Sequence, residues 1–107
     1  MAKILLIDDD ADLSRFIQLN LEQQGHEVHC LERAERGPDL LSAEAFDLVL
    51  LDNKMPGMSG IDFLAALQQR GLGIPVILMT GHATTNTAIQ AMNLGAFDYV
   101  EIGRAHV

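Results

Sequence analysis

Residues 4–10 read ILLIDDD, an unbroken apolar run that three aspartates follow at once. Residues 48–52, LVLLD, repeat this arrangement, and residues 76–80, VILMT, also end an apolar run on a polar side chain. Short runs rich in Ile, Leu and Val are typical of strands that helices cover on both faces. These three segments predict the central strands of a parallel sheet.

Two further strands are predicted from weaker patterns. Residues 26–31 alternate apolar Val28 and Cys30 with polar neighbours, as an edge strand does. Residues 97–100 are the fifth candidate. Cys30 is the only cysteine and has no basic neighbour, so we expect a small core residue in a reducing compartment rather than a nucleophile.

Four helices are predicted between the strands. Gly25 stops the first helix, and Pro38 is a favoured residue for the first turn of the second. Ser59 and Asp62 have the capping-box spacing that begins the third, and the fourth ends before Gly95. The apolar positions of the four helices are Leu13, Phe16, Ile17 and Leu21; Leu40 and Leu41; Phe63, Leu64 and Leu67; and Ala88, Ile89 and Met92.

Strands that alternate with helices predict an α/β fold with a doubly wound, five-stranded parallel sheet of the flavodoxin-like order 2-1-3-4-5. In this order the ligand crevice lies at the carboxyl ends of strands 1 and 3. Asp8, Asp9 and Asp52 are therefore expected to meet in one crevice. Thr80, at the end of strand 4, offers a hydroxyl at the same rim.

Composition limits the classes of function. A chain of 107 residues has room for one domain. Its net charge of −8, with seven scattered basic residues, argues against direct binding of nucleic acid, which needs clustered Lys and Arg. The apolar runs are far too short for a membrane span, so we expect no membrane partner and a cytoplasmic location.

The gathered carboxylates predict a metal site. Asp10 and Asp12, next to the first helix, are most simply helix-capping residues. Asp8, Asp9 and Asp52 would repel one another unless a cation lay among them. Mg²⁺ suits such a site because it prefers oxygen ligands and needs few of them from the protein. A carboxylate beside Mg²⁺ can also act as a nucleophile and form an acyl phosphate.

Four segments resemble the successive signature segments of bacterial response-regulator receiver domains: residues 6–10, 50–60, 79–82 and 95–100. The resemblance implies a receiver domain over residues 1–100 and leaves residues 101–107 as a divergent tail of unknown role. The last two segments are most similar to receivers of the nitrogen-regulator type. Full-length members of that type carry an ATPase and a DNA-binding output domain downstream.

The resemblance implies a role for each acidic residue. Asp52 would accept a phosphoryl group from a sensor histidine kinase, in a reaction that the receiver itself catalyses without being a conventional enzyme. Asp9 and Asp52 would bind Mg²⁺ directly, the backbone carbonyl of Lys54 would be a third ligand, and Asp8 would act through water. The phosphorylated state would then be relayed to an output domain or partner.

The resemblance also implies a switch, and here the sequence departs from the family. Thr80 would hydrogen-bond the phosphoryl group, and Tyr99 would swing inward on activation. Receivers of this kind follow the Tyr-Val segment with a lysine and a cis-proline, but this chain has Ile102 and Gly103. Arg104 does not replace this lysine, because its planar guanidinium group lies at a different backbone position and is not equivalent to the point charge of an ammonium group. The resemblance therefore predicts a receiver that is phosphorylated but switches poorly.

The chain ends at Val107, where the family has a fifth helix. Without that helix, residues 4–7 and 97–100 are expected to expose apolar surface, which monomers seldom tolerate in large patches. We therefore expect self-association, most simply as a two-fold dimer.

Three other functions are open at this stage. A Mg²⁺-dependent phosphatase with an aspartyl-phosphate intermediate would use the D-x-D pattern of Asp8 and Asp10, but it would leave Asp52 unexplained and would need a cap domain. A flavin-binding module would need a phosphate-binding loop where this chain has three aspartates. A pseudo-receiver would act as an interaction surface only, and the missing lysine is compatible with it.

Overall fold

A computed structural model describes residues 1–52, 57–80, 90, 92–93 and 95–101, with the backbone alone for Tyr99 and Glu101. The described part of the chain contains a five-stranded sheet in the order β2-β1-β3-β4-β5. Every neighbouring pair of strands is parallel. The predicted fold class and strand order are confirmed. The strands are β1 (Lys3–Ile7), β2 (Glu27–Leu31), β3 (Leu48–Asp52), β4 (Val76–Thr80) and β5 (Asp98–Glu101).

Three helices are described in full: α1 (Ala11–Gln23), α2 (Gly37–Ala43) and α3 (Gly60–Gln69). Asp10 caps α1, as predicted, because its carboxylate accepts from the backbone N–H groups of Asp12 and Leu13, each at 3.1 Å. The predicted capping box of α3 is also present, with Ser59 as the N-cap. A short 3₁₀ helix, Ala34–Arg36, connects β2 to α2.

The predicted fourth helix lies largely outside the described residues, which include neither Ala88 nor Ile89. Gln90, Met92 and Asn93 have helical backbone. The tail from Ile102 to Val107 also lies outside them. Within the described residues, no helix has the length and apolar character needed to cross a membrane.

The sheet has a thoroughly buried face towards α2 and α3. Phe63, Leu64 and Leu67 of α3 pack there on alternate residues of the central strands. On the opposite face, Ile17 and Leu21 of α1 pack against a smaller cluster. The strand residues of the first face are Leu5, Ile7, Val49, Leu51, Val76 and Leu78, and those of the second are Ile4, Leu6, Val28 and Met79.

The expectation that residues 4–7 expose apolar surface is wrong. Ile4 is 3% exposed and the other three residues are fully buried. β1 is flanked by β2 and β3 within the sheet, and α1 packs over the face that carries Ile4 and Leu6. This strand is the centre of the core and needs no further cover.

Phe97 and Val100 are exposed, but on two different faces. Val100 pairs in register with Met79 and therefore points to the α1 face, where it is 46% exposed. Phe97, 68% exposed, donates its N–H to the carbonyl of Val76 at 2.9 Å and borders a cavity beside α3. The predicted single patch is therefore divided by the sheet.

Cys30 is exposed, so the prediction of a small core residue is also wrong. Val28 lies on the same face of β2 and is buried in the cluster under α1, whereas Cys30 is outside that cluster. β2 is at the edge of the sheet and has a strand on one side only. The partial burial that Cys30 retains raises the pKa of its thiol, and the Glu22 carboxylate adds to this effect.

Candidate functional site

The carboxyl ends of β1, β3 and β4 meet at one edge of the sheet. Ile7 pairs in register with Leu51, so Asp8 and Asp52 occupy corresponding positions on adjacent strands. Asp52 pairs with Met79, which places Thr80 one residue further along the next strand. The parallel order thus brings together side chains that are far apart in sequence.

Three carboxylates converge at this edge. Asp8, Asp9 and Asp52 each offer an oxygen atom, and these atoms all lie within 4.8 Å of one another. Asp8 and Asp52 are only 1% and 3% exposed, whereas Asp9 is open to solvent. Like charges at such distances favour a bound cation, and a set made only of oxygen ligands suits Mg²⁺. The described residues therefore fit a magnesium site with one solvent-facing ligand.

Asp8 is fixed by the turn between β1 and α1. Its carboxylate accepts from the N–H of Asp10 at 2.9 Å, and its own N–H donates to the Leu31 carbonyl at 3.0 Å. The hydroxyl of the buried Ser14 donates to the Asp8 carbonyl at 3.4 Å. The first of these bonds orients the Asp8 carboxylate, and the other two hold the backbone of Asp8 in place.

Thr80 is 2% exposed and ends β4 next to the strand that carries Asp52. Tyr99 lies in β5 and pairs with Leu78, but its side chain is not described. Lys54 lies outside the described residues. Of the predicted ligands and switch residues, the structure therefore describes the side chains of Asp8, Asp9, Asp52 and Thr80.

Lys3 is the first residue of β1 and lies at the other end of the sheet. Its ammonium group is paired with the Glu44 carboxylate and lies 4.8 Å from the centre of the Phe46 ring. The hydrogen bond to Glu44 raises the pKa of Lys3 and lowers the pKa of Glu44. Lys3 is therefore committed to a structural contact away from the carboxylates.

One feature of the site edge was not predicted from the sequence. Arg33 and Glu35, on the connection from β2 to α2, form an ion pair that lies against Gly57, on the connection from β3 to α3. Neither the charged pair nor the glycine belongs to a pattern that marks a contact between two loops. No signal in a single sequence could have revealed it.

The family model for the response regulator receiver domain matches residues 4–101. The chain belongs to this family. Two relatives of similar identity are the response regulator protein FleR of Pseudomonas aeruginosa, 39% identical, and the regulatory protein AtoC of Escherichia coli, 38% identical. Each alignment covers 92% of this receiver. FleR and AtoC are regulators of the nitrogen-regulator type, which confirms the predicted subfamily resemblance.

The receiver spans about a fifth of the length of these relatives, 21% of each. It covers 42% of the cell cycle transcriptional regulator CtrA of Caulobacter vibrioides, to which it is 35% identical. Relatives of this family are response regulators of two-component systems, several of them transcriptional regulators.

Solved structures agree with the fold. A response regulator receiver domain protein from Clostridium thermocellum has a TM-score of 0.87 and 34% identity, over 98% of this receiver and 85% of that chain. FixJ-N has a TM-score of 0.88 and 27% identity, over 98% of this receiver and 84% of that chain.

Family membership decides against two of the alternatives, the phosphatase with a D-x-D nucleophile and the flavin-binding module. The geometry agrees, because the carboxylate of Asp10 caps α1 and Asp52 belongs to the carboxylate cluster. A pseudo-receiver, which would act as an interaction surface only, belongs to the same family as a working receiver.

Proposed function

We propose that this receiver takes a phosphoryl group on Asp52 from a sensor histidine kinase and uses it as a signal. The observation that carries this proposal is the convergence of three carboxylates within 4.8 Å at the ends of β1 and β3. Family membership supplies the reaction class, and the strand order supports Asp52 as the acceptor because Asp52 is the one carboxylate of the three that β3 contributes.

Asp9 and Asp52 hold Mg²⁺ directly in this proposal, with the Lys54 carbonyl as a third ligand and Asp8 acting through water. The exposure of Asp9 is compatible with a metal that keeps several waters. When bound, the ion neutralises the charge that develops on the phosphoryl oxygens. Asp8 contributes a fixed negative charge, since the Asp10 N–H orients its carboxylate.

The transfer is a substitution at phosphorus. An oxygen of the Asp52 carboxylate attacks the phosphorus atom of the donor phosphohistidine, and the bond between phosphorus and the imidazole nitrogen breaks. The electron pair of that bond stays on the imidazole, which leaves as a neutral ring because its other nitrogen carries a proton, and Asp52 becomes an acyl phosphate. The hydroxyl group of Thr80, at the end of β4, donates a hydrogen bond to an oxygen of the new phosphoryl group. Tyr99 then turns inward.

The receiver in this proposal includes residues 1–101, one residue more than the predicted 1–100, because β5 and the family match both include Glu101. Residues 102–107 are a tail outside it. The receiver acts in the cytoplasm. Its relatives are several times longer, as their 21% coverage shows, and we propose that the full-length protein carries an ATPase and a DNA-binding output domain. Nucleic acid would then be bound by that output domain and not by this acidic receiver.

We also propose that the 107-residue chain self-associates as a two-fold dimer through the α1 face of its sheet. Phe16 of α1 is 65% exposed and Val100 of β5 is 46% exposed on this side. Leu48, Leu50 and Ile77 are only half-buried there although they belong to central strands. A second copy would bury this surface.

The phosphoacceptor is tested by intact-mass measurement after incubation with Mg²⁺ and acetyl phosphate. We expect one phosphoryl group on the wild type and none on Asp52→Asn. Asp10→Asn is the matched control, because Asp10 is a neighbouring carboxylate assigned to helix capping, and it should still be phosphorylated. Equal phosphorylation of the wild type and Asp52→Asn would refute the assignment.

A further inference from the structure

The residue of α1 that is most completely buried is a serine. Ser14 is 7% exposed, whereas Ile17 and Leu21, on the same inward side of the helix, are only partly buried. A hydroxyl group is costly to bury unless it forms a hydrogen bond. A serine at the best covered position of α1 therefore indicates that its hydroxyl has a specific partner.

Ser14 donates two hydrogen bonds to the turn between β1 and α1. Its backbone N–H donates to the Asp10 carbonyl at 2.9 Å, which is the ordinary first bond of the helix. Its hydroxyl donates to the Asp8 carbonyl at 3.4 Å. Alanine at this position would keep the first bond and lose the second, so the second bond is what the serine adds.

The Asp8 carbonyl belongs to the peptide group that joins Asp8 to Asp9. Because this group is planar, rotation about the bond between Cα and the carbonyl carbon of Asp8 moves the carbonyl oxygen and the backbone of Asp9 together. The hydroxyl of Ser14 restrains that rotation by holding the oxygen. On the other side of Asp8, the N–H is held by the Leu31 carbonyl at 3.0 Å. The backbone that leads into Asp9 is therefore held both from β2 and from α1.

Asp9 depends on this backbone more than the other two carboxylates of the site do. Asp8 and Asp52 are buried at the ends of the central strands, whereas Asp9 is exposed. The position of an exposed carboxylate follows mainly from the backbone to which it is attached, because little is packed around it. The three carboxylates nevertheless bring oxygen atoms within 4.8 Å of one another. Rotation of the peptide between Asp8 and Asp9 would separate Asp9 from the other two.

We propose that Ser14 positions Asp9 for Mg²⁺ binding by holding the Asp8 carbonyl. This inference rests on the proposed function, because it concerns the same metal site. Ser14 is a positioning residue, since its hydroxyl acts on the site through the backbone. Loss of the hydroxyl allows the peptide to rotate and weakens Mg²⁺ binding by about ten-fold, the lower end of the range for groups that orient metal ligands.

Ser14→Ala isolates the effect of the hydroxyl. The substitution changes no charge, so the electrostatic attraction of the three carboxylates for a cation is unaltered. Alanine is smaller than serine and is the best helix former, so α1 should form as in the wild type. Weaker Mg²⁺ binding would therefore follow from the direction of the backbone and not from the field.

Ser42→Ala is the matched control. The Ser42 hydroxyl also donates to a backbone carbonyl, that of Pro38 at 3.0 Å, and it accepts from Arg70 at 3.3 Å. Ser42 lies near the end of α2, which leads to the start of β3 and not to the carboxylates. Both variants lose a hydrogen bond of a serine hydroxyl, so both should unfold at a slightly lower temperature than the wild type when Mg²⁺ is absent.

Calorimetric titration with MgCl₂ measures the Kd of the 107-residue chain and of both variants, and NMR spectra without Mg²⁺ give the position of the Asp9 amide resonance. We expect weaker Mg²⁺ binding and a moved Asp9 resonance in Ser14→Ala. In Ser42→Ala both should be as in the wild type.

The outcomes separate the two proposals. Unchanged Mg²⁺ affinity in Ser14→Ala would overturn the positioning role and leave the proposed function intact. Equal weakening in Ser14→Ala and Ser42→Ala would also overturn it, because a general loss of stability would then account for the change. A wild-type chain that binds no Mg²⁺ would overturn the proposed function and this inference with it.

Discussion

The solvent-exposed carboxylate of Asp9 and the buried carboxylate of Asp52 bring oxygen atoms within 4.8 Å of each other across two strands. The two carboxylates therefore have different roles in the proposed site. Asp52 is buried at the end of β3, and Asp9 is exposed to the solvent from which the metal arrives. Neither residue can bind Mg²⁺ well alone, because the ion needs several oxygen ligands.

Asp9→Ala should therefore abolish stabilisation of the fold by Mg²⁺. For the wild type, Mg²⁺ at about one hundred times its Kd should add about 2.7 kcal/mol to the free energy of unfolding. Thermal unfolding with and without MgCl₂ measures this difference. Asp12→Ala is the control, because Asp12 is also an exposed carboxylate near β1 but is not in the cluster, and it should keep the full Mg²⁺ effect. Equal stabilisation of Asp9→Ala and the wild type would contradict the ligand assignment.

Gly37→Ala should destabilise the domain by about 1–3 kcal/mol, as overpacking does in a filled core. A methyl group at Gly37 would lie 2.3 Å from Cε2 of Phe63 and 3.2 Å from Cδ1 of Ile7. Chemical denaturation measures the change. Gly73→Ala is the control because nothing lies within 4 Å of a methyl group there, and it should change stability by less than about 0.5 kcal/mol. Two variants of equal stability would show that α2 moves away from α3 at little cost.

The strand order and the meeting of Asp8, Asp9 and Asp52 could be predicted because they depend on short-range patterns. Apolar runs mark the buried strands, and the carboxyl ends of parallel strands share one edge. The exposure of Cys30 could not be predicted in this way. Alternation assigns it the same face as Val28, but only the position of α1 decides how much of that face is covered.

The contact of Arg33 and Glu35 with Gly57 also could not be predicted from the sequence. It joins two loops that are separated in sequence by α2 and β3, and neither loop has a periodic pattern. The division of residues 97–100 between two faces was missed for a related reason. A weak strand signal predicts that β5 exists, whereas the faces of Phe97 and Val100 follow from its register with β4.

The phosphorylated state should switch poorly because Ile102 stands where the family has a lysine. The lysine contact exists only in the activated state, and such differential contacts are what shift a population. In a beryllofluoride complex we expect the NMR resonances of Thr80 and Tyr99 to stay close to their unliganded positions. An Ile102→Lys, Gly103→Pro variant provides the comparison and should show larger shifts. Shifts of equal size in both proteins would refute this prediction.

The α1 face supplies the surface for the proposed dimer. Gln18 of α1 donates to the Val28 carbonyl at 3.4 Å, so that flank of the helix faces β2. Phe16, two residues before Gln18, lies on the opposite flank of the helix, and Val100 is exposed on the same side of the sheet. Burial stabilises by about 25 cal/mol per Å² of apolar surface. Hiding a patch of roughly 400 Å² on each of two chains would therefore offset much of an association cost of about 4–15 kcal/mol.

Light scattering over a series of protein concentrations should therefore show a dimer that dissociates on dilution. Phe16→Ser with Val100→Thr should give a monomer throughout, because both changes remove apolar surface from the proposed interface. Phe97→Ser is the matched control: its side chain is 68% exposed but lies on the other face of the sheet, so the dimer should persist. A wild-type chain that stays monomeric up to hundreds of micromolar and unfolds cooperatively would refute self-association. If Phe97→Ser also dissociated the dimer, the second copy would have to cover the face that carries Phe97. That result would contradict an interface on the α1 face.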